Sequence, residues 1–343
     1  MKLAIQAKID REIIHFAEDD TLISSKHRTV YYTRGKQTKE IVLPENGALK
    51  SFLGFFRLTR RALRLDKCNV FLHGKNLVII RQGRVYFYDD KSDELSETLT
   101  LRNCRNILHQ SMNSSPEGYI YFGEYGTNKE RKTVPVYCSK DGGKSWSEIY
   151  TFSPGSIKHV HGCYYDKYTD KIWVCTGDFK DENWLLIADK DFQDIKKIGD
   201  GQQRYRTCNL IFTADSVHWL MDSQLETSYH ITLDRKTEKI TVGQKLMGPI
   251  WYIKELDNGI YLAASSQEKG EGVLDDNAHI YVSRDLKTWH SIHQFKHDGY
   301  PKGYFKFGVV GFADGKQSAS NFYMFCEALK GVDGVSLNCQ IEL

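Results

Sequence analysis

Three pairs of residues in the middle of the chain have types and spacings that suit acid–base chemistry. His109 precedes Glu124 by 15 positions, His161 precedes Asp178 by 17, and Arg206 precedes Asp222 by 16. A near-constant offset is what two antiparallel strands and their connection consume, so each pair is expected at one end of a repeated hairpin. An imidazole beside a carboxylate can move a proton, and a guanidinium can hold a substrate carboxylate through two parallel bonds. Glu124, Asp178, His161 and His109 are therefore the candidate acids and bases. Arg206, Arg204 (expected on the same face), Arg81 and Asp222 are candidate substrate contacts, with Trp251 and Tyr125 as aromatic platforms. Each type also has an ordinary structural use. Acids bond to loop amides, strand histidines are commonly satisfied core groups, and arginines pair with neighbouring acids. Only one of His159 and His161 is expected to face a shared cleft. Two histidines with Glu124 and Asp178 would offer enough ligands for a divalent ion. No metal-binding spacing supports one, so neither metal nor cofactor is expected.

Such pairs need elements that repeat, and the sequence supplies them. Short apolar runs separated by Gly, Asn, Asp and Lys turns dominate, which marks an all-β chain. Val134–Ser139 and Trp146–Phe152 read as two strands joined by Ser139-Lys-Asp141-Gly-Gly143-Lys-Ser145-Trp146. Ser139 and Asp141 can accept bonds from amides inside that turn, Gly142 and Gly143 supply positive φ, and Trp146 anchors the hairpin. Tyr281-Val-Ser283-Arg-Asp285-Leu-Lys-Thr288-Trp289 repeats the turn with one residue fewer, and weaker echoes carry Asp90, Asp191 and Asp234. The acids at 90, 141, 191, 234 and 285 are spaced by 51, 50, 43 and 51 residues, the length of four short strands. Seven units follow, at roughly 10–44, 55–101, 103–152, 156–199, 203–245, 247–296 and 303–343. The expected fold is a seven-bladed β-propeller, with six blades as the alternative, formed as a single domain over 1–343. The last unit has three strands, so Lys2–Ile9 is expected to pair with Val335–Leu343 and remove two edges. Residues 45–65 interrupt the pattern and read as an inter-blade insertion with a short helix. In a propeller the hairpin tips gather at one end, where ligands bind.

Composition narrows the functional classes. The chain has 343 residues, 41% of them apolar, and a formal net charge of +3, too small to argue for nucleic acid. No apolar run is long enough for a membrane span, and the N-terminal residues lack an apolar signal-peptide core. The eight cysteines contain no Cys-x-x-Cys pair and several sit inside apolar strands. Buried free thiols and a cytoplasmic location are expected.

The Ser-x-Asp-x-Gly-x-Ser-Trp turn over Ser139, Asp141, Gly143 and Trp146 resembles the Asp-box, or BNR repeat, of the sialidase-like β-propellers. In that clan the box lies on a blade's outer rim, so it speaks for architecture and not for catalysis. Phe56-Arg57 is similar to the start of the sialidase Phe-Arg-Ile-Pro motif, whose arginine grips the substrate carboxylate, which adds Arg57 to the candidate contacts. The resemblance implies a carbohydrate-active protein acting on an acidic glycan, as a glycoside hydrolase if two carboxylates do the work. A histidine base beside an arginine-bound uronate would make it a polysaccharide lyase, and a propeller without a converging acid–base pair a glycan binder or scaffold.

Overall fold

The structure, a computed structural model, describes residues 1–45 and 47–342. Asn46, in the expected insertion, and Leu343, at the end of the expected last strand, lie outside them. Among the described residues, strands form seven four-stranded antiparallel sheets, and the chain folds as a seven-bladed β-propeller. Six blades are consecutive, at residues 13–42, 69–100, 113–152, 159–201, 211–245 and 250–296. The seventh joins Val309–Phe312, Phe322–Glu327 and Val335–Glu342 to the strand Lys2–Ile9. That strand pairs antiparallel with the last one, from Lys2 opposite Glu342 to Ile9 opposite Ser336, with a register shift between Ile5 and Ala7.

The burial of each strand explains the sequence pattern. Middle strands such as Asn76–Arg81, Val134–Ser139 and Lys171–Gly177 are buried along almost their whole length, because both faces of a blade are covered. They therefore read as continuous apolar runs. Outer strands such as Glu94–Thr100 and Ser147–Phe152 are largely solvated. The blades fall into two compact groups, Met1–Cys68 with Met247–Leu343, and Asn69–Leu246. In the first group Leu262, Ile280, Phe312, Phe322 and Leu337 belong to one continuous core. The second holds several, including one around Val136, Cys163 and Val174 and another around Cys175, Trp219 and Ile231.

The self-capping turn forms as its residues dictate. The Ser139 hydroxyl donates to Asp141 Oδ1 at 2.8 Å and accepts from the Gly143 amide at 2.7 Å. Asp141 Oδ1 also accepts from the Ser145 amide at 2.9 Å, and Gly142 and Gly143 hold φ of 75° and 102°. Asp285 and Asp234 cap their turns in the same way. In two echoes the capping acid differs from the expected one. Asp89 rather than Asp90 accepts the Lys91 amide, and Asp189 rather than Asp191 accepts those of Gln193 and Asp194. In each case the first acid stands at the end of the strand, Asp89 as its last residue and Asp189 just after it, and is the one aimed back at the turn.

The insertion contains two short helices, Ala48–Leu53 and Arg57–Leu63, where one was expected. They are inverted: Phe52, Phe55 and Phe56 are exposed while Arg60 and Arg61 are buried. Arg60 donates to Glu12 through Nε at 3.0 Å and Nη2 at 2.8 Å. Arg57 reaches Glu12 (3.1 Å), Asp66 (2.6 Å) and Asp333 (2.8 Å), and Arg61 meets Asp298. Lys306 continues the chain of charges to Asp66 at 2.8 Å and Glu327 at 3.3 Å, and Lys67 closes on Glu327 at 3.2 Å. Burial alone would raise the Asp66 and Glu327 carboxyls, but Lys306 and its fellow cations outweigh it and hold both below the carboxylate range.

Candidate functional site

The strand His159–Asp166 is bulged. His159 lies opposite Gly177 and Val160 opposite Thr176, but Gly162 opposite Cys175, leaving His161 as the extra residue. Both histidines sit on one side, and their Nε2 atoms are 3.1 Å apart. The expectation that only one could face a common site is thus corrected: residues two apart in a strand share a face. Asp178 follows directly on the partner strand Lys171–Gly177. Gly177 holds φ of +150°, and a Cβ there would meet the Asn183 side chain at 2.1 Å, so only glycine lets the chain turn and aim Asp178 at the histidines.

Asp178 is the hub. Its Oδ1 lies 3.2 Å from His161 Nε2, 3.3 Å from His159 Nε2 and 3.0 Å from Arg206 Nη2, and its Oδ2 accepts from Lys158 Nζ. Arg206 closes a short 3-10 turn, Gln203–Tyr205. Its Nη1 donates to the Asp178 carbonyl at 3.1 Å and to Gln224 at 2.6 Å, and its Nε lies 3.3 Å from Asp222 Oδ2. The Cys208 thiol donates to that same Asp222 oxygen at 3.2 Å. Tyr125 stacks on His159 with ring centroids 4.1 Å apart. Burial pushes His161 below its usual value, against the pull of Asp178. For Asp178 burial acts upward, but His159 and Arg206 prevail and hold it well below the carboxylate range. Burial, helped by Asp222, lifts the Cys208 thiol well above its usual value, so it stays a donor.

His161, Asp178, Arg206, Asp222 and Tyr125 are therefore brought together. Lys158 and Cys208, which the sequence reading passed over, join them. Lys158 directly precedes His159, and an arginine-to-cysteine spacing of two residues placed Cys208 on the side of Arg206; these were the available signals. Glu124 is committed elsewhere: its carboxylate accepts the amides of Arg102 (2.7 Å) and Asn103 (2.9 Å) and the Tyr137 hydroxyl (3.1 Å). His109 sits in a turn instead of on a strand, because the first strand of its blade is only Asn113–Ser114. Arg204 does not share a face with Arg206, since the 3-10 turn rotates it out to Asp200 at the surface. Arg81 is buried at the end of Asn76–Arg81. The Arg57 guanidinium is taken by Glu12, Asp66 and Asp333, and Trp251 donates to Glu268 at 2.8 Å.

The mouth of the cluster is marked by Phe179, which is 44% exposed. Lys158 Nζ and the Arg131 guanidinium each lie 5.5 Å from the centre of its ring. The Lys158 side chain retains 20% exposure, against 3% for His159 and 1% for His161, so a ligand arriving from solvent meets the lysine first.

No protein-family model matches the chain, and no curated protein does. Solved structures match by fold. An extracellular domain of a one-component system from B. thetaiotaomicron superposes with a TM-score of 0.56 at 12% identity, covering 98% of this chain. This chain spans only 39% of the length of that one. An oligogalacturonate lyase from Vibrio parahaemolyticus gives a TM-score of 0.58 at 9% identity, covering 98% of this chain and 90% of that one. A chain of the mitotic checkpoint complex gives 0.54 at 9% identity, covering 99% and 93%. At such identities the likeness is one of fold.

Proposed function

We propose that this chain is a carbohydrate-active propeller that cleaves a uronate-bearing oligosaccharide by β-elimination at the Lys158–Asp178–Arg206 cluster. The carrying observation is the meeting of two histidines, a lysine and an arginine on Asp178, beside an exposed ring that cations flank. A sugar ring can lie on Phe179, and the flanking lysine and arginine suit its carboxylate. β-Elimination needs positive charge on that carboxylate, which makes the neighbouring C–H acidic, and a nitrogen to take the proton. The electron pair then forms a C=C bond as the glycosidic C–O bond breaks, and the leaving oxygen is protonated. Lys158, the nitrogen nearest solvent, takes the proton as its neutral amine while Arg131 holds the carboxylate. The ammonium so formed returns that proton to the leaving oxygen, and Arg206 fixes Asp178 from behind. Hydrolysis is less well served, because Glu124 already serves two amides and a phenol, and Asp222 is engaged by Arg206 and the Cys208 thiol. The oligogalacturonate lyase of the same fold supports the substrate class.

A second reading, a non-catalytic glycan binder, is favoured by one observation: Asp178 and Arg206 satisfy each other internally. Incubation with a panel of uronate oligosaccharides separates the two. Elimination gives new reducing ends together with ultraviolet absorbance from the unsaturated product, and Lys158→Ala, still folded, removes both. Reducing ends without absorbance would mean hydrolysis, binding without products the second reading, and no binding at all would end the carbohydrate proposal.

A further inference from the structure

The orientation of the two histidines implies something that no sugar chemistry requires. His159 Nδ1 lies 2.7 Å from the Gly126 carbonyl, and His161 Nδ1 lies 3.0 Å from the Thr207 carbonyl. A carbonyl can only accept, so each Nδ1 carries the hydrogen, and in a neutral ring Nε2 is then a bare lone pair. Those two lone pairs and Asp178 Oδ1 face one another at 3.1, 3.2 and 3.3 Å. Beside the hydrogen that Arg206 directs at Oδ1, these facing lone pairs repel unless a cation, either a proton shared by a ring or a metal ion, sits at their centre.

We infer that His159 Nε2, His161 Nε2 and Asp178 Oδ1 form a binding site for a divalent transition-metal ion. An ion with bonds of about 2.0–2.2 Å places adjacent ligands roughly 3.0–3.4 Å apart, the separations seen here. Donation of each Nδ1–H to a main-chain carbonyl is the supporting arrangement that fixes a metal-ligating imidazole. Two imidazoles and one carboxylate favour zinc, manganese or iron(II) over magnesium or calcium, which prefer all-oxygen sites. Arg206 Nη2 shares Oδ1 and Lys158 occupies Oδ2, but a carboxylate oxygen has two lone pairs, so Oδ1 can accept from the guanidinium and bind the ion together. Three protein ligands leave at least one coordination position for water or an anionic ligand. A second trio, His161, Cys208 and Asp222, also lies within ligand reach. It is not selected, because its thiol is a protonated donor to Asp222 and its histidine nitrogen holds the Thr207 carbonyl. The inference is independent of the carbohydrate reading and survives the loss of that reading.

The test strips the full chain with a chelator and titrates it with zinc, manganese and magnesium chlorides. Calorimetry and elemental analysis after gel filtration report stoichiometry, and thermal unfolding reports the gain in Tm. One zinc or manganese ion per chain is expected, at least tenfold tighter than magnesium. His159→Gln and His161→Gln, each checked for folding by circular dichroism, should each weaken binding by tenfold or more. Cys208→Ser should leave it unchanged. Cobalt(II) in place of zinc should give a visible spectrum of nitrogen–oxygen ligation without a thiolate charge-transfer band. Absence of stoichiometric binding would overturn the inference, as would binding that both glutamine variants retain or that Cys208→Ser removes.

Discussion

Two buried ionic clusters in this protein use the same residue types to opposite ends. Around Glu12 and Asp66, every cation is matched by an acid that faces it. Arg57 is held by three carboxylates, Arg60 by Glu12 and two main-chain carbonyls, and Lys306 by Asp66 and Glu327. The Glu12 carboxylate is also filled, since Oε2 accepts the His27 amide at 2.6 Å. Donors point at acceptors throughout, and the result is a staple that ties two short, inside-out helices to the blades. Around Asp178, Lys158 and Arg206 donate to the carboxylate, but two imidazole Nε2 atoms also converge on Oδ1 and on each other, and the polar groups lie behind an exposed ring. A matched network has nothing left to offer a ligand. A mismatched one is where chemistry can be done, and its cost in stability is tolerated for function.

The comparison can be broken most directly on the staple. Glu12→Ala leaves Arg57 and Arg60 short of a partner in a buried setting, and removing one member of a buried pair costs about 3–5 kcal/mol. Denaturant midpoints should fall accordingly, while metal binding and any sugar cleavage per folded molecule stay unchanged. A loss below about 1 kcal/mol would show that the network is solvated and not a staple.

A smaller effect is expected from acid. The folded-state values of Asp66, Glu327 and Asp333 lie below those of the unfolded chain. Their contribution is therefore complete above about pH 5 and is lost as the pH falls through the depressed values. Glu327→Gln should consequently be less stable than the parent near neutrality, and the gap should close below pH 4. A gap that stays constant down to the acid transition would mean that Glu327 is not ionised in the folded protein.

The smallest change should come from the mismatched cluster. In chelator-treated protein His159→Gln removes one converging lone pair and loses the stacking on Tyr125, a contact worth about 0.5–1.5 kcal/mol. The two oppose, and stability should stay within about 1 kcal/mol of the parent. A drop as large as that of Glu12→Ala would place the Asp178 cluster among the staples and remove the contrast.

The blades were readable because turn acids, glycines and wholly buried strands recur at a nearly fixed interval. The pairing of Lys2–Ile9 with Val335–Glu342 followed from counting edges. The site was half readable. His161 with Asp178 and Arg206 with Asp222 met as their offsets required. His109 with Glu124 did not, because His109 lies in a turn and the first strand of that blade shrinks to two residues. Lys158 was hidden as one more lysine in a chain with many. The aim of Asp178 at the two histidines depends on Gly177, which apolar patterning does not report. The insertion helices were obscure for the reverse reason: the first buries no residue and the second buries Arg60 and Arg61, so the apolar stripe that usually reveals a helix points the wrong way.

The pairing of Lys2–Ile9 with Val335–Glu342 also sets a clock. These partners are the most widely separated in sequence of any pair of strands in the protein, with Lys2 opposite Glu342. At ribosomal rates of about 5–20 residues per second, the first strand would wait roughly 15–70 seconds for its partner to be made. Throughout that interval it is an unpaired edge able to recruit any strand nearby. Its sequence is suited to the wait: Lys2 and Lys8 bracket the short run Leu3-Ala-Ile-Gln-Ala7, and charge along an edge discourages mispairing. The sheet joined across the longest separation thus begins with a strand whose two lysines guard its open edge.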